Sequence, residues 1–516
     1  MNKNNPPNQS QDALFTLVKS LTKSEKRQFN LYVGRLDNNI DAKFFSLFKF
    51  LEKEKYYNED SILETDIVTK QQLSNLKSHL YKQILISLRL NPAHKNIRIQ
   101  IREQLDFATI LYQKGLYKQS LKLLEKAKNL ALENEEKNIA YEIVELEKVI
   151  ETQYITRSLS SRANELSLEA KNLSQQNVIA SKLSNLSLQL YSHLLQNGYV
   201  KNNEELEFIN KYFYSKLPNY DFKSIGFREK LWLYKSHLWH SFLIQDFLQS
   251  YKYASKWVNL FYINYRQIKQ HPVFYLKGKN YLLESSFFIK NSTIFKNELA
   301  FFEKEIADKK IPINPNTEIL IFQYLYSNKL HLHFLEATFV EGEYLVDIIN
   351  KSIDKYKDRL DKHYTTMLYY KIACLYFGMG KSKECITYLE KIITSKKLES
   401  ASDLQCFARI LNLIAHYELG LDEHLEKQFK ETYKFLLKME NLQEVQKVFL
   451  TSIRDLSDLY PHEIKEEFKN IHKKLKRFEN HPYEKRAFLY LDILSWLESK
   501  INNKPIAEII KEKANS

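Results

Sequence analysis

Gly380-Lys381-Ser382, in the segment "YFGMGKSKECITYLEKI", are the last three residues of the phosphate-binding pattern G-x-x-x-x-G-K-[ST]. In that pattern, consecutive backbone N–H groups enclose phosphate oxygens at the end of a β-strand. Here Leu375 stands at the first glycine position, and the residues before Gly380 have the apolar spacing of a helix. The segment therefore favours a turn between two helices, with Lys381 in solvent, over a nucleotide site.

Two further spacings could bind a metal or supply acid–base chemistry. His237 and His240, in "HLWH", lie one helical turn apart, as two zinc ligands would. Glu142 and Glu145 have the same spacing in a segment rich in both charges, which is typical of a solvated helix face. No cysteine or acid stands at a companion spacing to the histidines, so we expect packing or surface histidines, no metal and no cofactor. We find no nucleophile elbow, His-Glu-x-x-His motif or dinucleotide loop, and we predict that the protein is not an enzyme.

The three cysteines, Cys374, Cys385 and Cys406, are odd in number and have no framework spacing. Free thiols of this kind are typical of a reducing compartment. If two helices meet at Gly380, then Cys374 and Cys385 face each other across the pair as small core residues. We therefore interpret them as packing residues.

The strongest lead to a function is a basic stretch near the N-terminus. No acid occurs between Asp66 and Glu103, and the first hundred residues carry six of the fourteen net positive charges. Such a surface could follow a phosphate backbone, although a solvated helix with a basic linker gives the same pattern. The candidate nucleic-acid contacts are Lys70, Lys77, Lys82, Arg89, Lys95, Arg98 and Arg102.

The composition indicates which elements must position these residues. The chain has 516 residues, but only 9 glycines and 10 prolines, which predicts long helices joined by short turns. The longest apolar runs are too short to span a membrane, and the N-terminus has no apolar core of a signal peptide. We expect a cytoplasmic protein without membrane insertion. Frequent Asn, Lys, Ile and Tyr are typical of an AT-rich bacterial genome.

Periodicity and breakers predict the organisation of the chain. We expect a disordered tail over residues 1–11 and a small helical unit over 12–95, which contains a capping box at Thr22–Glu25 and ends near Pro92. Two helical arrays should follow, over 96–308 and 316–516, separated by the proline-containing segment "KKIPINPN". The arrays carry five glycines in similar contexts, some 38 or 40 residues apart, as in stacked helix pairs. These glycines are Gly115, Gly198, Gly342, Gly380 and Gly420.

Two of these segments can be aligned, "FATILYQKGLYKQSLKLLEKA" (107–127) and "IACLYFGMGKSKECITYLEKI" (372–392). A small residue stands seven positions before the glycine and another five positions after it, so that two helices can approach closely. Glycine permits the left-handed backbone that ends the first helix. The residues with these structural roles are Ala108, Gly115, Ser120, Ala127, Ala373, Gly380, Cys385, Leu389 and, in a partial match, Gly420.

This pattern resembles the tetratricopeptide repeat, across residues 100–450. The resemblance implies an all-α fold: an irregular α-solenoid of antiparallel helix pairs after a small N-terminal helical unit. It also implies a non-enzymatic scaffold or adaptor that binds protein or peptide partners on its helical surface. The alternative is a regulator whose basic N-terminal unit contacts nucleic acid while the array senses a peptide or protein.

Overall fold

The computed structural model describes residues 12–35, 42–91, 96–153, 161–394, 402–420, 422–436, 444–454, 461–485, 488 and 492–515. These residues form 25 α-helices and no β-strand. The contacts divide the chain into two units, Met1–Glu169 and Ala170–Ser516. The tail over residues 1–11, predicted to be disordered, lies outside the described residues.

The first unit begins with a cluster of five helices around an apolar core that includes Phe29, Leu47, Phe48 and Leu80. The expected capping box is confirmed at the second helix, where the Thr22 hydroxyl accepts from Glu25 N–H at 3.3 Å and the Glu25 carboxylate accepts from Thr22 N–H at 2.6 Å. The helices are α1 (Ala13–Ser20), α2 (Lys23–Gly34), α3 (Lys43–Lys53), α4 (Glu59–Leu63) and α5 (Lys70–Leu90).

Three more helices complete the first unit: α6 (Ile97–Gln113), α7 (Tyr117–Glu133) and α8 (Lys137–Gln153). Each packs on the next, and α9 (Arg162–Asn197) follows and contains the division between the units. A buried ion network joins these helices, because Lys128 Nζ donates to Glu147 at 2.8 Å and to Glu169 at 2.9 Å. Burial raises the pKa of Glu147, and the ammonium of Lys128 opposes that rise.

The second unit continues with helices that pack mainly on their neighbours in sequence. Those before residue 394 are α10 (Asn203–Lys216), α11 (Phe227–Leu243), α12 (Phe247–Ile263), α13 (Arg266–Gln270), α14 (Pro272–Phe288), α15 (Ser292–Ala307), α16 (Pro315–Glu336), α17 (Tyr344–Lys355), α18 (Lys362–Gly378) and α19 (Ser382–Ile393). Those after it are α20 (Ser402–Glu418), α21 (Asp422–Leu436), α22 (Glu444–Arg454), α23 (Pro461–Lys476), α24 (Ile493–Asn502) and α25 (Ile506–Asn515). The "KKIPINPN" segment connects α15 to α16 inside this unit.

The turns between paired helices share one geometry. After α6, the residue Gly115 has φ +74°, its N–H donates to Tyr112 O, and the next N–H donates to Leu111 O. After α18, Gly380 has φ +73° and the same two hydrogen bonds to the last helical turn. This C-terminal cap satisfies carbonyls that the helix itself leaves unpaired.

Several turns adopt that geometry without glycine. Positive φ and the same pair of hydrogen bonds occur at Glu135, Gln245, Lys290 and Lys309. Gly342, in contrast, does not have a positive φ, although its context in the sequence resembled that of Gly115. The left-handed residue that ends α16 is Ala337, with φ +50°. Gly342 lies in the following turn, where an added Cβ would come within 2.9 Å of the His333 ring.

The C-terminal part of the second unit returns to its beginning. Helix α25 packs on α16, and the Tyr483 hydroxyl donates to Asn203 Oδ1 at 2.5 Å. Gln245 Nε2 in turn donates to the Tyr483 carbonyl at 3.1 Å. Contacts between residues that are far apart in sequence therefore supplement the packing of successive helices in this unit.

Candidate functional site

Polar and aromatic side chains from five helices of the second unit meet at one place, which we call the Glu284 cluster. The Glu284 carboxylate is half-buried, and its helix, α14, packs on α16, which in turn packs on α18. Its members are Tyr191 on α9, Trp239 on α11, Tyr281 and Glu284 on α14, Tyr324 on α16, and Tyr364 and Lys371 on α18.

Local sequence features set the position of α14 and α16. Helix α14 begins with Pro272, whose fixed φ suits the first helical position. Helix α16 is capped by Asn314, whose Oδ1 accepts from the N–H groups of Asn316 and Thr317 at 3.0 Å each. Gly278 lets α14 approach α12, since an added Cβ would come within 2.9 Å of the Trp257 indole.

A row of aromatic rings forms one side of the cluster. The ring centroids of Tyr191 and Trp239 are 4.7 Å apart, and those of Trp239 and Tyr281 are 5.2 Å apart at a near-perpendicular angle of 75°. Tyr191 is 38% exposed, whereas Trp239 is only 6% exposed. The row therefore runs from the surface into the interior and ends one helical turn from Glu284.

The Glu284 carboxylate has no hydrogen bond or ion pair with another residue of the described part of the chain. Burial raises its pKa, and the attraction of Lys371 opposes that rise without cancelling it. A carboxylate in such a position loses water without gaining a direct partner. It is therefore available to a cation brought by a ligand.

The nearest cation, Lys371, contacts a different group. Its ammonium donates to the Ser327 hydroxyl on α16. Burial lowers the pKa of Lys371 to about 8, although the charge of Glu284 acts in the opposite direction. His331, also on α16, is close enough to Lys371 for the ammonium to help lower the imidazole pKa, after the larger effect of burial.

Three buried nitrogen atoms in this region have no hydrogen-bond partner in the described structure: Trp239 Nε1, Trp257 Nε1 and His331 Nδ1. The Trp257 ring lies beside the row, with its centroid 5.9 Å from that of Tyr281. The imidazole of His331 stacks on Phe287 with centroids 4.0 Å apart and is 8% exposed. Buried polar atoms are usually paired, because an unpaired one costs about 1–3 kcal/mol. A ligand that supplied an acceptor to the indole would remove such a cost.

Burial determines the protonation states of the cluster. Burial raises the pKa of Tyr364 to about 12 and also raises the pKa values of Tyr281 and Tyr324, so the phenols remain neutral. Burial raises the pKa of the nearby Cys374 thiol to about 12, which makes it a poor nucleophile. The arrangement supplies one carboxylate, one ammonium and neutral aromatic hydrogen-bond donors.

A second polar network in the same unit is internally satisfied. Lys279 Nζ donates to Glu298 at 2.9 Å, and the Tyr275 hydroxyl lies 2.6 Å from both carboxylate oxygens of Glu305. Lys279, Tyr275 and Glu305 are at most 1% exposed. This network joins α14 to α15 and leaves no group for a ligand.

The residues predicted from the aligned segments take structural positions. Ala108 and Ala373 are completely buried in the first helix of their pairs, opposite the completely buried Ser120 and Cys385 in the second. The Ser120 hydroxyl donates to the Ala108 carbonyl at 2.7 Å. The other predicted residues, Ala127, Leu389 and the glycines Gly115, Gly380 and Gly420, are buried or lie in turns with positive φ. None of them belongs to the Glu284 cluster.

The predicted basic residues do not form one free surface. Arg89, Arg98 and Arg102 form ion pairs with acids of α6 to α8, namely Asp106, Glu136 and Glu142. Lys77 contacts the Asp12 carboxylate and the Tyr57 hydroxyl. Lys70 and Lys82 are exposed and have no such partner among the described residues. Lys95 lies outside the described residues.

The remaining predicted candidates pack or pair within the protein. His237 stacks on Tyr253 at 4.3 Å, and His240 Nε2 is 2.8 Å from Asn210 Oδ1. Lys381, in the turn of the Gly-Lys-Ser segment, forms an ion pair with Glu343 at 2.6 Å. Burial raises the pKa of Cys385, and Cys374 contributes to the rise, as expected for thiols that approach across the pair.

The remaining carboxylate pair, Glu142 and Glu145, makes separate ion pairs with Arg102 and Lys148.

Sequence reasoning missed the Glu284 cluster. Its residues are separated by up to 180 positions in the chain and follow no short motif, so only the packing of five helices brings them together. One signal was present: α14, α16 and α18 carry polar residues inside otherwise apolar, aromatic segments without a clear polar face. Helices of that kind are buried on most sides, and a charge on them points to a specific interior role.

Comparison with protein-family models and with curated protein sequences finds no match to this chain. Among the described helices, none combines the length and apolar character that crossing a membrane would require. In the same residues, no group of three or more His, Cys, Asp or Glu side chains is arranged to hold a metal ion. The class that the structure defines is therefore an all-helical protein with a buried polar and aromatic cluster.

Proposed function

We propose that the chain is a non-enzymatic cytoplasmic scaffold or adaptor that binds a protein or peptide partner on a surface similar to that of tetratricopeptide repeats. One observation carries the proposal. Helices α9, α11, α14, α16 and α18 direct aromatic and charged side chains to one place, where Glu284 and the Trp239 indole have no partner in the described structure. Partly exposed aromatic residues beside unsatisfied polar atoms are typical of a binding site.

The proposed architecture is an irregular α-solenoid. Its support is the packing of each helix on its neighbours in sequence and the shared turn geometry at Gly115 and Gly380. Turns of the same geometry at Gln245 and Lys290 join two more helix pairs, α11 with α12 and α14 with α15. Stacked helix pairs offer an extended surface to an extended partner.

The non-enzymatic part of the proposal is supported by the chemistry of the cluster. A catalytic site needs a nucleophile, acid or base in contact with its activating partner. Glu284 contacts no such partner, and the Cys374 thiol is protonated near neutral pH because burial raises its pKa to about 12. The groups are suited to recognition of a ligand.

The alternative, a regulator that contacts nucleic acid through its N-terminal unit, has weaker support. Arg89, Arg98 and Arg102 would have to exchange ion pairs within the protein for phosphate contacts. Of the predicted basic residues that the structure describes, only Lys70 and Lys82 are exposed without a partner. We therefore favour the scaffold.

The test is native co-purification of the full chain with mass spectrometry, comparing Tyr191→Ala with Tyr344→Ala. Tyr191 is at the exposed end of the aromatic row, whereas Tyr344 is an exposed tyrosine on α17 outside the cluster. We expect a stoichiometric partner that is retained by Tyr344→Ala and bound at least about tenfold more weakly by Tyr191→Ala. Absence of any stoichiometric partner, together with a measured hydrolytic activity, would overturn the proposal.

A further inference from the structure

The Glu284 cluster combines three features that together select a class of ligand. A carboxylate without a direct partner lies one helical turn from a tyrosine, and that tyrosine belongs to a row of rings that reaches the surface. The middle ring of the row, Trp239, has an indole N–H without a hydrogen-bond partner in the described structure. The Trp239 residue is only 6% exposed.

The carboxylate favours a positively charged group. Glu284 is half-buried and has no ion pair or hydrogen bond with any residue that the structure describes. Lys371, whose charge opposes the rise in the pKa of Glu284 caused by burial, donates to Ser327 instead. An incoming ammonium or guanidinium could therefore contact Glu284 directly, and a charge-assisted hydrogen bond of this kind is stronger than a neutral one.

The aromatic row favours the same group. Cations bind over the faces of tryptophan and tyrosine, and tryptophan is the best of the aromatic residues in this role. Tyr191, Trp239 and Tyr281 stand side by side at centroid distances of 4.7 and 5.2 Å, so aromatic groups extend from the exposed Tyr191 to a position one helical turn from Glu284. A lysine or arginine side chain has an apolar stem for these rings and a charged end for the carboxylate.

The indole N–H favours a peptide as the carrier of that cation. Trp239 Nε1 is a donor only, so its missing partner must be an acceptor. A backbone carbonyl next to a lysine or arginine would supply this acceptor at a distance from the charged end. A simple inorganic cation would leave the indole unpaired.

We propose that the Glu284 cluster binds a lysine or arginine side chain of a peptide, with the charged end at Glu284, the stem along the aromatic row and a backbone carbonyl at the Trp239 indole. This inference deepens the proposed function and rests on it, because it names the chemistry of the partner. The charge of Lys371, which acts on Glu284 without contacting it, opposes a second cation, so the removal of Lys371 strengthens binding of the ligand.

The test uses fluorine NMR of the full chain labelled with fluorotryptophan, in which the Trp239 resonance is assigned by Trp239→Phe. The probes are acetylated and amidated peptides, Gly-Ala-Xaa-Ala-Gly, in which Xaa is lysine, norleucine or glutamate. We expect the lysine peptide to shift the Trp239 resonance and the norleucine peptide, which has the same stem without charge, to leave it unchanged. The expected loss of affinity in Glu284→Gln is at least about tenfold.

Two further variants keep the test decisive. Glu390→Gln removes an exposed carboxylate on α19, outside the cluster, and should leave the affinity for the lysine peptide unchanged. Lys371→Met should increase that affinity, which gives a gain to measure even if Glu284→Gln does not fold. Equal binding of the norleucine peptide, or stronger binding of the glutamate peptide that depends on Lys371, would overturn the inference.

The failure of this inference differs from the failure of the proposed function. If no peptide shifts the Trp239 resonance while a stoichiometric partner is still lost on Tyr191→Ala, the scaffold stands and the cation site is wrong. If the lysine peptide binds in a Glu284-dependent manner, but no partner protein co-purifies and the chain has a hydrolytic activity, the site stands and the scaffold is wrong. If neither is observed, both are wrong.

Discussion

His237 and His240 show how burial gives two neighbouring histidines a thermodynamic role without a metal. Their rings are packed against Tyr253 and Phe213, at centroid distances of 4.3 and 4.2 Å. Burial lowers the pKa of each imidazole to about 4, and the charges of Lys252 and Lys256 contribute at His237 while Asp246 opposes the shift at His240. Each histidine is therefore neutral in the folded protein at pH values where an unfolded chain would be protonated.

This difference predicts a loss of stability in mild acid. Above the ordinary histidine pKa of about 6.5, both states are neutral and the stability is fully present. As the pH falls from 6.5 towards 4, only the unfolded chain takes up protons, so the free energy of unfolding decreases by roughly 1.4 kcal/mol per histidine and pH unit at most. Urea unfolding midpoints between pH 7 and pH 4.5 measure the effect.

The matching variant is His237→Gln/His240→Gln, which removes both titrations. We expect a flatter dependence of the unfolding midpoint on pH than in the parent chain, even if lost packing lowers the midpoint at pH 7. His363→Gln, at the start of α18, is the control substitution. An unchanged slope in the double variant would show that the acid sensitivity arises elsewhere.

At the scale of elements, the helix pairs depend on how each first helix ends. Gly380 has φ +73° and open space where a Cβ would stand, so its requirement for glycine is conformational and not steric. Its neighbour Lys381 pairs with Glu343 across two half-exposed side chains, and such pairs contribute about 0–1 kcal/mol. The left-handed backbone of Gly380 therefore contributes more to this turn than the ion pair of Lys381 does.

We therefore predict that Gly380→Ala lowers the free energy of unfolding by about 1 kcal/mol, because an L-residue is strained in the left-handed conformation. Lys381→Ala should lower it by less than about 1 kcal/mol and should leave partner binding unchanged. Urea unfolding of the two variants gives the comparison. If Lys381→Ala abolished an ATP-dependent property, the segment would be a nucleotide site after all.

The residue at the left-handed position of each turn explains why the sequence predicted some helix pairs and not others. Glycine marked the pairs around Gly115 and Gly380, whereas Gln245 and Lys290 adopt the same left-handed conformation without any residue type that signals it. Tertiary packing of the flanking helices can impose this strain of about 1–2 kcal/mol on an ordinary residue. The spacing of glycines in the sequence therefore predicts only some of the helix pairs.

At the scale of the whole molecule, the distribution of charge bears on the kind of partner. The chain has a net charge of +14, but Arg89, Arg98 and Arg102 of the basic stretch are paired with acids of the same unit. Phosphate contacts made by free lysines and arginines would give an affinity that falls steeply with salt. Because these arginines are paired within the protein, phosphate contacts should contribute less to any affinity for nucleic acid.

We accordingly predict that the full chain binds duplex DNA and RNA only weakly at physiological salt, and that Lys82→Glu/Arg89→Glu leaves the residual affinity nearly unchanged. Fluorescence anisotropy across a series of salt concentrations measures both the affinity and its salt dependence. Lys351→Glu/Lys357→Glu, which alters two exposed lysines of the second unit, controls for the change in net charge. A steep salt dependence lost only in the Lys82 and Arg89 variant would favour the regulator.

Local patterns in the sequence determined the helical class, the capping box at Thr22, the end of α5 and the close pairing of Ala108 with Ser120 and of Ala373 with Cys385. These features depend on residues within about one or two helical turns of each other, or on one short turn, so spacing alone reveals them. The Glu284 cluster depends on side chains from α9 to α18 whose approach is set by packing such as that of Trp257 on Gly278. Only the tertiary structure determined the position of this cluster. The burial of Glu284 and its lack of an ion-pair partner arise only when these distant helices come together.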